Sequence, residues 1–508
     1  MGSPLYIKTN QLSASCSNTA AAMAAPRPHF LLFPYMEQGH IISMVDFGRM
    51  LARRCVIVTF ITTPHNASRF ETIVDRERHS LGLKISIIKI QFPWKEAGLP
   101  EGTENQDQLP PSVPAMEFMA AASLLQNPVE KLIETLSPPP NCIISDGCLP
   151  FTMNIARKFS IPRISFHGFN CFYNLVMRNA YQILYTAQSE EENFIVPNLP
   201  DRIEISKARS PTPISENLKE FEILLGRAEM TAYGMALNSF EEMEPQYVEG
   251  LRKTVNRVYC IGPVSLCNTN TMDKAERGKK SAIDEHSCLK WLDSQEPSSV
   301  LYVCFGSLCN LIPNQLIELA LGLEASRRPF IWAIRTGEKA EELKKWVSEN
   351  GFENRIEGKG VLIWGWAPQV LILSHSSIGG FLTHCGANGI QEGVCSGVPL
   401  VTWPLFSDQF INEQLVVNVL KIGVSVGAKW PVNEGEEDKY GIEVKREDVK
   451  AAIDKLMDEE SEESKERRRR VKELAEKARR AVAEGGSSYL NLSLLIKDIM
   501  EYQKSSEE

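Results

Sequence analysis

Apolar, β-branched runs of strand length alternate with helix-length amphipathic stretches along most of the chain, and this alternation constrains the fold more than any other feature. Strands that are buried on both faces and joined by helices form parallel sheets. The pattern therefore predicts a doubly wound α/β domain from His29 to Ile261. The first seven runs are Phe30–Phe33, Val56–Ile61, Leu83–Ile88, Cys142–Ser145, Arg163–Phe166, Met235–Asn238 and Arg257–Ile261.

The alternation restarts after a polar, Lys-rich segment between Gly262 and His286, which lacks periodicity and is interpreted as a linker. A length of 508 residues also exceeds one typical domain. We therefore predict an N-terminal domain over 29–264, a linker over 265–286 and a C-terminal domain over 287–485. The later runs are Ser299–Phe305, Phe330–Ile334, Gly360–Trp364, Ile378–Thr383 and Val398–Trp403.

The two ends of the chain differ in character. Residues 1–28 contain Ser, Ala and Lys but no acidic residue, which is compatible with a transit peptide or with a disordered tail ahead of a second start at Met23. The scarcity of Arg favours the disordered tail. Residues 486–508 follow a Gly-Gly break and predict an amphipathic helix from Tyr489 to Met500, with apolar positions 490, 494, 495 and 499.

Charge and cysteine usage exclude several function classes. The net charge of −9 does not favour nucleic acid, and the basic run 467–470 lies among glutamates, so it predicts a solvated helix face. No run of 18 or more apolar residues provides a transmembrane anchor. The twelve cysteines form no Cys-x-x-Cys pair, which favours free thiols in a reducing compartment and a cytoplasmic location.

A 44-residue run from Trp366 to Gln409 carries groups suited to a nucleoside diphosphate sugar. The Trp366 indole can stack on a base, and Gln369 and Glu392 can bond ribose hydroxyls. His384 ends an apolar strand, and the N–H groups of the helix predicted from Ala387 to Cys395 suit phosphate. Asp408 and Gln409 could serve a hexose. Taken singly, these residues could instead be a packed aromatic, a satisfied histidine and a helix cap.

In length, order and spacing this run resembles the signature box of plant family 1 UDP-sugar-dependent glycosyltransferases. The resemblance extends from about His29 to Tyr502 and implies the GT-B architecture, in which two doubly wound, Rossmann-like domains face each other across a cleft. It also implies that the last helix packs back on the N-terminal domain. The residues it assigns to the donor are Gly306, Ser307, Trp366, Ala367, Gln369, His384, Gly386, Ala387, Asn388, Gly389, Glu392, Trp403, Asp408 and Gln409.

Three positions depart from the family's usual box. The chain has Ala387, Gly389 and Gln391 where the family commonly has Trp, Ser and Leu. The backbone N–H of Ala387 would survive the change, but Gly389 cannot offer a hydroxyl to a phosphate oxygen. Since such a charge-assisted bond contributes about 1.5–3 kcal/mol, its loss would give weaker donor binding or slower turnover.

The resemblance assigns catalysis to His40 and Asp146. His40 lies just past the first strand, and a base there would remove the acceptor's proton as its oxygen attacks. Asp146 ends a later strand and could fix the tautomer of the histidine and stabilise the imidazolium. It could equally cap the helix before Leu149. The resemblance also places Thr152 at the acceptor side of the reaction centre.

The expected activity is inverting transfer of glucose from UDP-glucose to a hydroxyl of a lipophilic plant metabolite such as a flavonoid, a triterpenoid or steroid, or a small phenol, giving a β-glucoside. Gln409 resembles glucose-using members. No Asp-x-Asp triplet occurs, so no metal and no cofactor beyond the co-substrate are expected. We also expect a monomer.

Three alternatives stay open. The chain could form a C-glucoside of a phenolic, or it could be a catalytically weak protein that binds a nucleotide sugar or a metabolite. A UDP-glucuronic acid donor would need a cation near the sugar carboxylate, and the box contains none.

Overall fold

The computed structural model describes residues 27–110, 113–186, 193–210, 219–309, 311–433 and 436–507. The predicted tail, apart from its last two residues, and the second candidate start at Met23 lie outside these ranges. The strands are β1 (His29–Phe33), β2 (Ile57–Thr62), β3 (Ile85–Lys89), β4 (Cys142–Asp146), β5 (Arg163–His167), β6 (Asn193–Ile195), β7 (Glu204–Ser206), β8 (Gly234–Leu237), β9 (Val258–Cys260), β10 (Val300–Cys304), β11 (Phe330–Ile334), β12 (Gly360–Trp364), β13 (Ile378–Thr383), β14 (Leu400–Thr402) and β15 (Gly423–Ser425).

The helices connect these strands and cover both faces of the sheets. They are α1 (Gln38–Ala52), α2 (Pro64–Ala67), α3 (Glu71–Leu81), α4 (Ala115–Ala121), α5 (Gln126–Ile133), α6 (Thr152–Lys158), α7 (Cys171–Thr186), α8 (Lys219–Met230), α9 (Pro245–Arg252), α10 (Thr271–Ala275), α11 (Glu285–Asp293), α12 (Pro313–Ser326), α13 (Glu338–Glu349), α14 (Phe352–Arg355), α15 (Gln369–Leu373), α16 (Ala387–Ser396), α17 (Gln409–Gln414), α18 (Arg446–Met457), α19 (Glu462–Val482) and α20 (Ser487–Glu507). A π-helical turn over Leu415–Val419 continues α17.

Two parallel sheets organise the chain, as the alternating pattern predicts. The first has the order β3-β2-β1-β4-β5-β8-β9 and the second the order β12-β11-β10-β13-β14-β15. Every predicted apolar run overlaps one of these strands. The pattern missed β15 and the small antiparallel pair β6–β7, because three residues are too few to show periodicity. The predicted two-domain, Rossmann-like GT-B fold is confirmed.

Helix α20 packs on the first sheet. Leu492, Leu495 and Ile499 join the cluster that contains Phe30 and Tyr259, while Tyr259 donates a hydrogen bond from its hydroxyl to Asp498 at 2.6 Å. The predicted apolar face was partly wrong, since Leu490 and Leu494 are exposed. Helical periodicity allows several faces, and only the contact with the sheet selects one.

Two further expectations need correction. In α19, Arg469 and Arg470 pair with glutamates on the surface, but Arg467 is buried, so the basic run is not wholly solvated. Among the cysteines in the described ranges, ten are free thiols, whereas Cys55 is disulfide-bonded. Within the described ranges, no helix is both long and apolar enough to cross a membrane.

Candidate active site

The predicted site residues gather where the strand order of each sheet reverses. The first sheet reverses between β1, which precedes His40, and β4, which ends at Asp146. The second sheet reverses between β10 and β13, which precede Ser307 and His384. Ligands of open α/β sheets bind at such switch points. The two points face each other, because Ser307 Oγ donates to Glu37 Oε1 at 2.9 Å across the domains.

His40 and Asp146 form a hydrogen-bonded pair. His40 Nδ1 lies 2.7 Å from Asp146 Oδ2, and the carboxylate is buried while the imidazole keeps 20% of its surface exposed. Asp146 Oδ1 also accepts from the N–H of Cys148 at 3.0 Å, so it both caps the following turn and orients the histidine. His40 Nε2 has no hydrogen-bond partner among the described residues, which leaves this nitrogen available to a ligand.

Charge around His40 makes it a stronger base than a free histidine. Burial alone lowers its pKa, but the charge and hydrogen bond of Asp146, followed by the charges of Glu37 and Asp408, raise the pKa to about 9. Glu37 caps α1 by accepting from the N–H groups of Gly39 and His40 at 2.7 and 3.2 Å. The same carboxylate thus holds the backbone of the histidine and adds to its basicity.

Aromatic rings surround the imidazole. Tyr35 and Phe169 make edge contacts with His40, with ring centroids 5.3 and 6.1 Å away, and Tyr173 lies 4.7 Å from Phe169. Tyr35 is 1% exposed and supports the imidazole from within the protein. Phe169 and Tyr173 are partly exposed and offer apolar faces on which a planar or polycyclic molecule can pack. The surroundings of Nε2 therefore suit a lipophilic ligand that carries a hydroxyl.

Thr152 does not line this space. Its side chain is 0% exposed, and its hydroxyl donates to Ser145 Oγ at 2.8 Å and to the Leu149 carbonyl at 2.6 Å. Arg163 Nε donates to the same hydroxyl at 2.9 Å. The predicted acceptor contact is therefore not present, because a strand-end position does not determine which way the first turn of the next helix points.

The phosphate side is built on the start of α16. This helix begins at Ala387 with Gly386 as its N-cap, and no side chain of the cap occupies the first N–H groups, which leaves them suited to an anion. Burial lowers the pKa of His384 to about 4 against an opposing hydrogen bond with the Cys304 backbone, so its ring is neutral at pH 7. Gly306 has φ +75°, and a Cβ there would lie 2.7 Å from the His384 ring. This glycine thus lets the histidine approach.

Two side chains predicted to bind phosphate form hydrogen bonds with the N-terminal domain instead. Ser307 donates to Glu37, and Asn388 Nδ2 donates to the carbonyl of Gly39 at 2.8 Å. Asn388 Oδ1 accepts from Asn238 Nδ2 at 3.2 Å. A diphosphate that took hydrogen bonds from Ser307 and Asn388 would share or replace these contacts.

The residues predicted to bind the nucleoside are Trp366, Gln369 and Glu392, and the last two are in contact. Gln369 Nε2 donates to Glu392 Oε2 at 2.6 Å, and the neighbouring Ala367 is buried. Gly278, from the linker, packs directly on the indole of Trp366, because a Cβ at this residue would lie 2.4 Å from the ring atom Cζ2. The linker therefore forms one wall beside the predicted base platform.

The three residues predicted near the sugar differ in how much of their side chain is left for a ligand. Asp408 is buried, which raises its pKa to about 7, and it accepts from Asn412 Nδ2 at 2.5 Å. Gln409 Oε1 accepts from the N–H groups of Leu405 and Phe406 at 2.8 and 3.1 Å, which leaves only its amide nitrogen for a ligand. Trp403 is 1% exposed and packs edge-on against Phe305, so the predicted donor contact of its side chain is wrong.

The three atypical box residues lie at a tightly packed place. Ala387 and Gly389 are buried, and a Cβ at Gly389 would lie 3.3 Å from Thr383 Oγ1. Gln391 donates from Nε2 to the Asn238 carbonyl of the other domain. The glutamine therefore makes an interdomain hydrogen bond that leucine could not make.

One cluster in the described part of the chain has the composition of a metal site, namely His40, Asp146 and Cys148, whose ligand atoms lie within 4.8 Å of one another. A thiol must lose its proton to bind a metal. Burial, followed by the charge of Asp146, raises the pKa of Cys148 well above its ordinary value. The cluster is thus better suited to proton transfer than to metal binding.

Sequence reasoning missed several residues of this site. Glu37 could have been found, since a carboxylate directly before a helix start is an N-cap signal. Phe169, Tyr173 and Arg277 carry no local signal, because their positions depend on how α7 and the linker pack on the two domains.

Comparison with known proteins agrees with this geometry. Residues 271–473 match the family model described as UDP-glucoronosyl and UDP-glucosyl transferase. The chain is 54% identical to UDP-glycosyltransferase 73C3 of Arabidopsis thaliana over 94% of its own length and 97% of the relative. It is 52% identical to UDP-glycosyltransferase 73C10 of Barbarea vulgaris, with coverage of 93% and 96%.

Solved structures show the same likeness. The crystal structure of Glycyrrhiza uralensis UGT73P12 complexed with glycyrrhetinic acid 3-O-monoglucuronide superposes with a TM-score of 0.85 at 35% identity, covering 95% of this chain and 97% of the other. Phytolacca americana UGT2, complexed with UDP-2fluoro-glucose and pterostilbene, gives 0.72 at 27% identity, with coverage of 93% and 99%. From its sequence, its two-sheet architecture and these relatives, the chain belongs to the plant family 1 UDP-glycosyltransferases, enzymes that transfer a sugar from a UDP-sugar to an acceptor.

Proposed function

We propose that the protein transfers glucose from UDP-glucose to a hydroxyl of a lipophilic small molecule, with inversion at the anomeric carbon. The observation that carries this proposal is the His40–Asp146 pair at 2.7 Å, which lies at one switch point while the helix start of α16 lies at the facing one. A base and an anion site on opposite walls match the two charges that develop during glycosyl transfer.

The chemical step follows from this placement. The acceptor's O–H gives its proton to His40 Nε2 as its oxygen forms a bond to the anomeric carbon, and the bond from that carbon to the UDP oxygen breaks. Asp146 stabilises the imidazolium that results. The leaving diphosphate takes hydrogen bonds from the N–H groups of α16, so preorganised dipoles meet its charge and no metal is required. A single displacement from the far side inverts the anomeric centre.

The acceptor class is supported by the partly exposed rings of Phe169, beside the His40 imidazole, and Tyr173, beside Phe169. Two structural relatives bind glycyrrhetinic acid 3-O-monoglucuronide and pterostilbene, which are both lipophilic. We therefore propose acceptors with a flat or polycyclic apolar body and one accessible hydroxyl.

The test uses the purified full chain with UDP-glucose and a mixed pool of flavonoids, triterpenoids and simple phenols. Release of UDP with a product heavier by one hexose, identified by mass spectrometry, supports transfer, and NMR of the product gives the anomeric configuration. Parallel reactions with UDP-glucuronic acid test the donor. An acid-stable product with the sugar on carbon would indicate C-glucosylation instead.

A binding protein with little activity is the second candidate, because Ser307 and Asn388 are both hydrogen-bonded to the other domain and Gly389 offers no hydroxyl. Binding of UDP by calorimetry without turnover across the whole pool would favour this second function over the first.

A further inference from the structure

The linker carries a buried arginine that bridges the two domains beside the nucleoside site. Arg277 Nε donates to Asp46 Oδ2 at 2.7 Å, and its Nη1 donates to Glu392 Oε1 at 2.5 Å. All three side chains are more than nine-tenths buried. Asp46 belongs to α1 and Glu392 to α16, so one guanidinium joins both domains through charged hydrogen bonds.

The two carboxylates depend on Arg277 to different degrees. Asp46 Oδ1 has other donors, since Asn268 Nδ2 lies at 3.0 Å and Arg49 Nη1 at 3.4 Å. Glu392 has only one other donor in the described residues, the neutral amide of Gln369. Because an unpaired buried carboxylate is strongly disfavoured, Glu392 needs the guanidinium more than Asp46 does.

The contacts of Glu392 leave part of each oxygen unused. Arg277 holds Oε1 and Gln369 holds Oε2, one donor on each oxygen. An ionised carboxylate offers about four lone-pair sites, so each oxygen can accept one further hydrogen bond. Two acceptors side by side match the two neighbouring hydroxyls of a ribose.

The linker backbone places the guanidinium here. Gly278 has φ +95° and lies against the Trp366 indole, where a Cβ would come within 2.4 Å of the ring. The chain can therefore pass close to the base platform and direct the preceding side chain at Glu392. Burial lowers the pKa of Arg277, but the charges of Asp46 and Glu392 raise it well above its ordinary value, so the charge is permanent.

We propose that Arg277 is a positioning residue for donor recognition: it holds the Glu392 carboxylate in the orientation that accepts hydrogen bonds from both ribose hydroxyls, and so lets the enzyme distinguish ribose from deoxyribose. This inference rests on the proposed function and on the prediction that Glu392 binds the ribose of UDP-glucose.

The experiment compares the affinities of the full-length protein for UDP and 2′-deoxy-UDP by calorimetry. The wild type should prefer UDP by about tenfold, as expected for one lost hydrogen bond to a charged group. Arg277→Met should weaken UDP, which loses two hydrogen bonds to Glu392, by about a hundredfold, and 2′-deoxy-UDP, which loses only the bond from its 3′-hydroxyl, by about tenfold, so the preference disappears. Arg277→Lys keeps the buried charge but not the fork that reaches both carboxylates, so it should retain part of the preference.

Arg76→Met is the matched control. Arg76 also ties the linker to the N-terminal domain, donating from Nη2 to Asp273 Oδ1 at 2.6 Å and from Nη1 to Glu276, but it does not contact Glu392. The Arg76→Met variant should prefer UDP over 2′-deoxy-UDP to the same degree as the wild type.

Equal weakening of both nucleotides in Arg277→Met, or the same loss of preference in Arg76→Met, would overturn the inference and reduce Arg277 to a tether of the linker. A wild type that binds both nucleotides equally would overturn it as well. A wild type that binds no UDP would overturn the proposed function itself. If Arg277→Met does not fold, Arg277→Lys decides: an unchanged preference refutes the inference and a reduced one supports it.

Discussion

Replacing Asp146 by Asn should change the pH dependence of transfer in a way that isolates the role of its charge. The structure raises the pKa of His40 to about 9, against about 6.5 for an unperturbed histidine. A difference of about 2.5 units corresponds to roughly 3 kcal/mol of extra affinity for the proton. Because burial lowers this pKa and Asp146 is the largest cause that raises it, removing the Asp146 charge should lower the pKa of His40.

The direction in which the rate changes with pH depends on which protonation state of His40 acts as the base. The base must be unprotonated, so at pH 7 only about 1% of wild-type His40 is active when its pKa is about 9. The wild-type kcat/KM for the acceptor should therefore rise about tenfold per pH unit up to pH 9. In Asp146→Asn the lower pKa of His40 should make kcat/KM level off below pH 9, and its plateau should be lower than that of the wild type by about 10²–10⁴-fold. The ratio of wild-type to variant kcat/KM should thus be largest at pH 9 and smallest at pH 7.

The assay needs an acceptor whose own hydroxyl does not titrate, since phenols ionise in the same range. An aliphatic alcohol on a polycyclic body serves, with UDP-glucose saturating at every pH. A wild-type profile that is flat from pH 6 to 9 would refute the raised pKa. An inflection that stays near 9 in Asp146→Asn would refute Asp146 as its cause.

The pH dependence of folding stability provides a second, independent test of the His40–Asp146 pair. A pKa that is raised on folding contributes stability in full below the unfolded value of about 6.5, and this stability is lost as the pH rises through about 9. The melting temperature of the wild type should therefore exceed that of Asp146→Asn most at pH 6, and the gap should narrow towards pH 10.

Four further predictions concern the base, the metal and the phosphate side. His40→Ala should reduce O-glucosylation by at least about 10²-fold without changing UDP affinity, and a variant that keeps more than about a tenth of the rate would contradict its role as base. Excess chelator should leave activity unchanged, whereas a loss restored by Mg²⁺ or Mn²⁺ would show that a metal acts. Glu37→Gln should tighten UDP by up to about tenfold, because a carboxylate on Ser307 repels a diphosphate, and calorimetry that shows weaker binding would disprove this. Gly389→Ser should also tighten UDP-glucose by up to roughly tenfold, provided that Thr383 yields a few tenths of an ångström to the new Cβ; unchanged affinity would indicate a compensated loop.

Much of the fold can be read from the sequence, because each strand of a parallel sheet is buried on both faces and is locally apolar. The predicted runs at Phe330–Ile334, Gly360–Trp364 and Ile378–Thr383 coincide with strands. The residue that follows a strand is then placed at the carboxyl edge of the sheet by connectivity alone. Strand pattern and connectivity are therefore enough to place His40, Asp146 and His384 at that edge.

Contacts between elements that are distant along the chain depend instead on packing. The family resemblance places Thr152 and Trp403 at the site, yet their side chains are buried in the protein, since local sequence does not specify the direction of a side chain at the end of an element. Ser307 is correctly predicted to lie beyond a strand, but its partner, Glu37, belongs to the other domain.

The sequence by itself determined the two sheets, the strand ends that hold the reactive groups and the family to which the chain belongs. The tertiary structure decided which of those groups touch. The linker illustrates the difference: its polar, aperiodic composition marks it only as a connection, and the position of Arg277 between Asp46 and Glu392 exists only because the two domains close around it. The local apolar pattern shows which segments are buried strands and which residues follow them. The pairing of charges across a cleft depends instead on the relative placement of both domains.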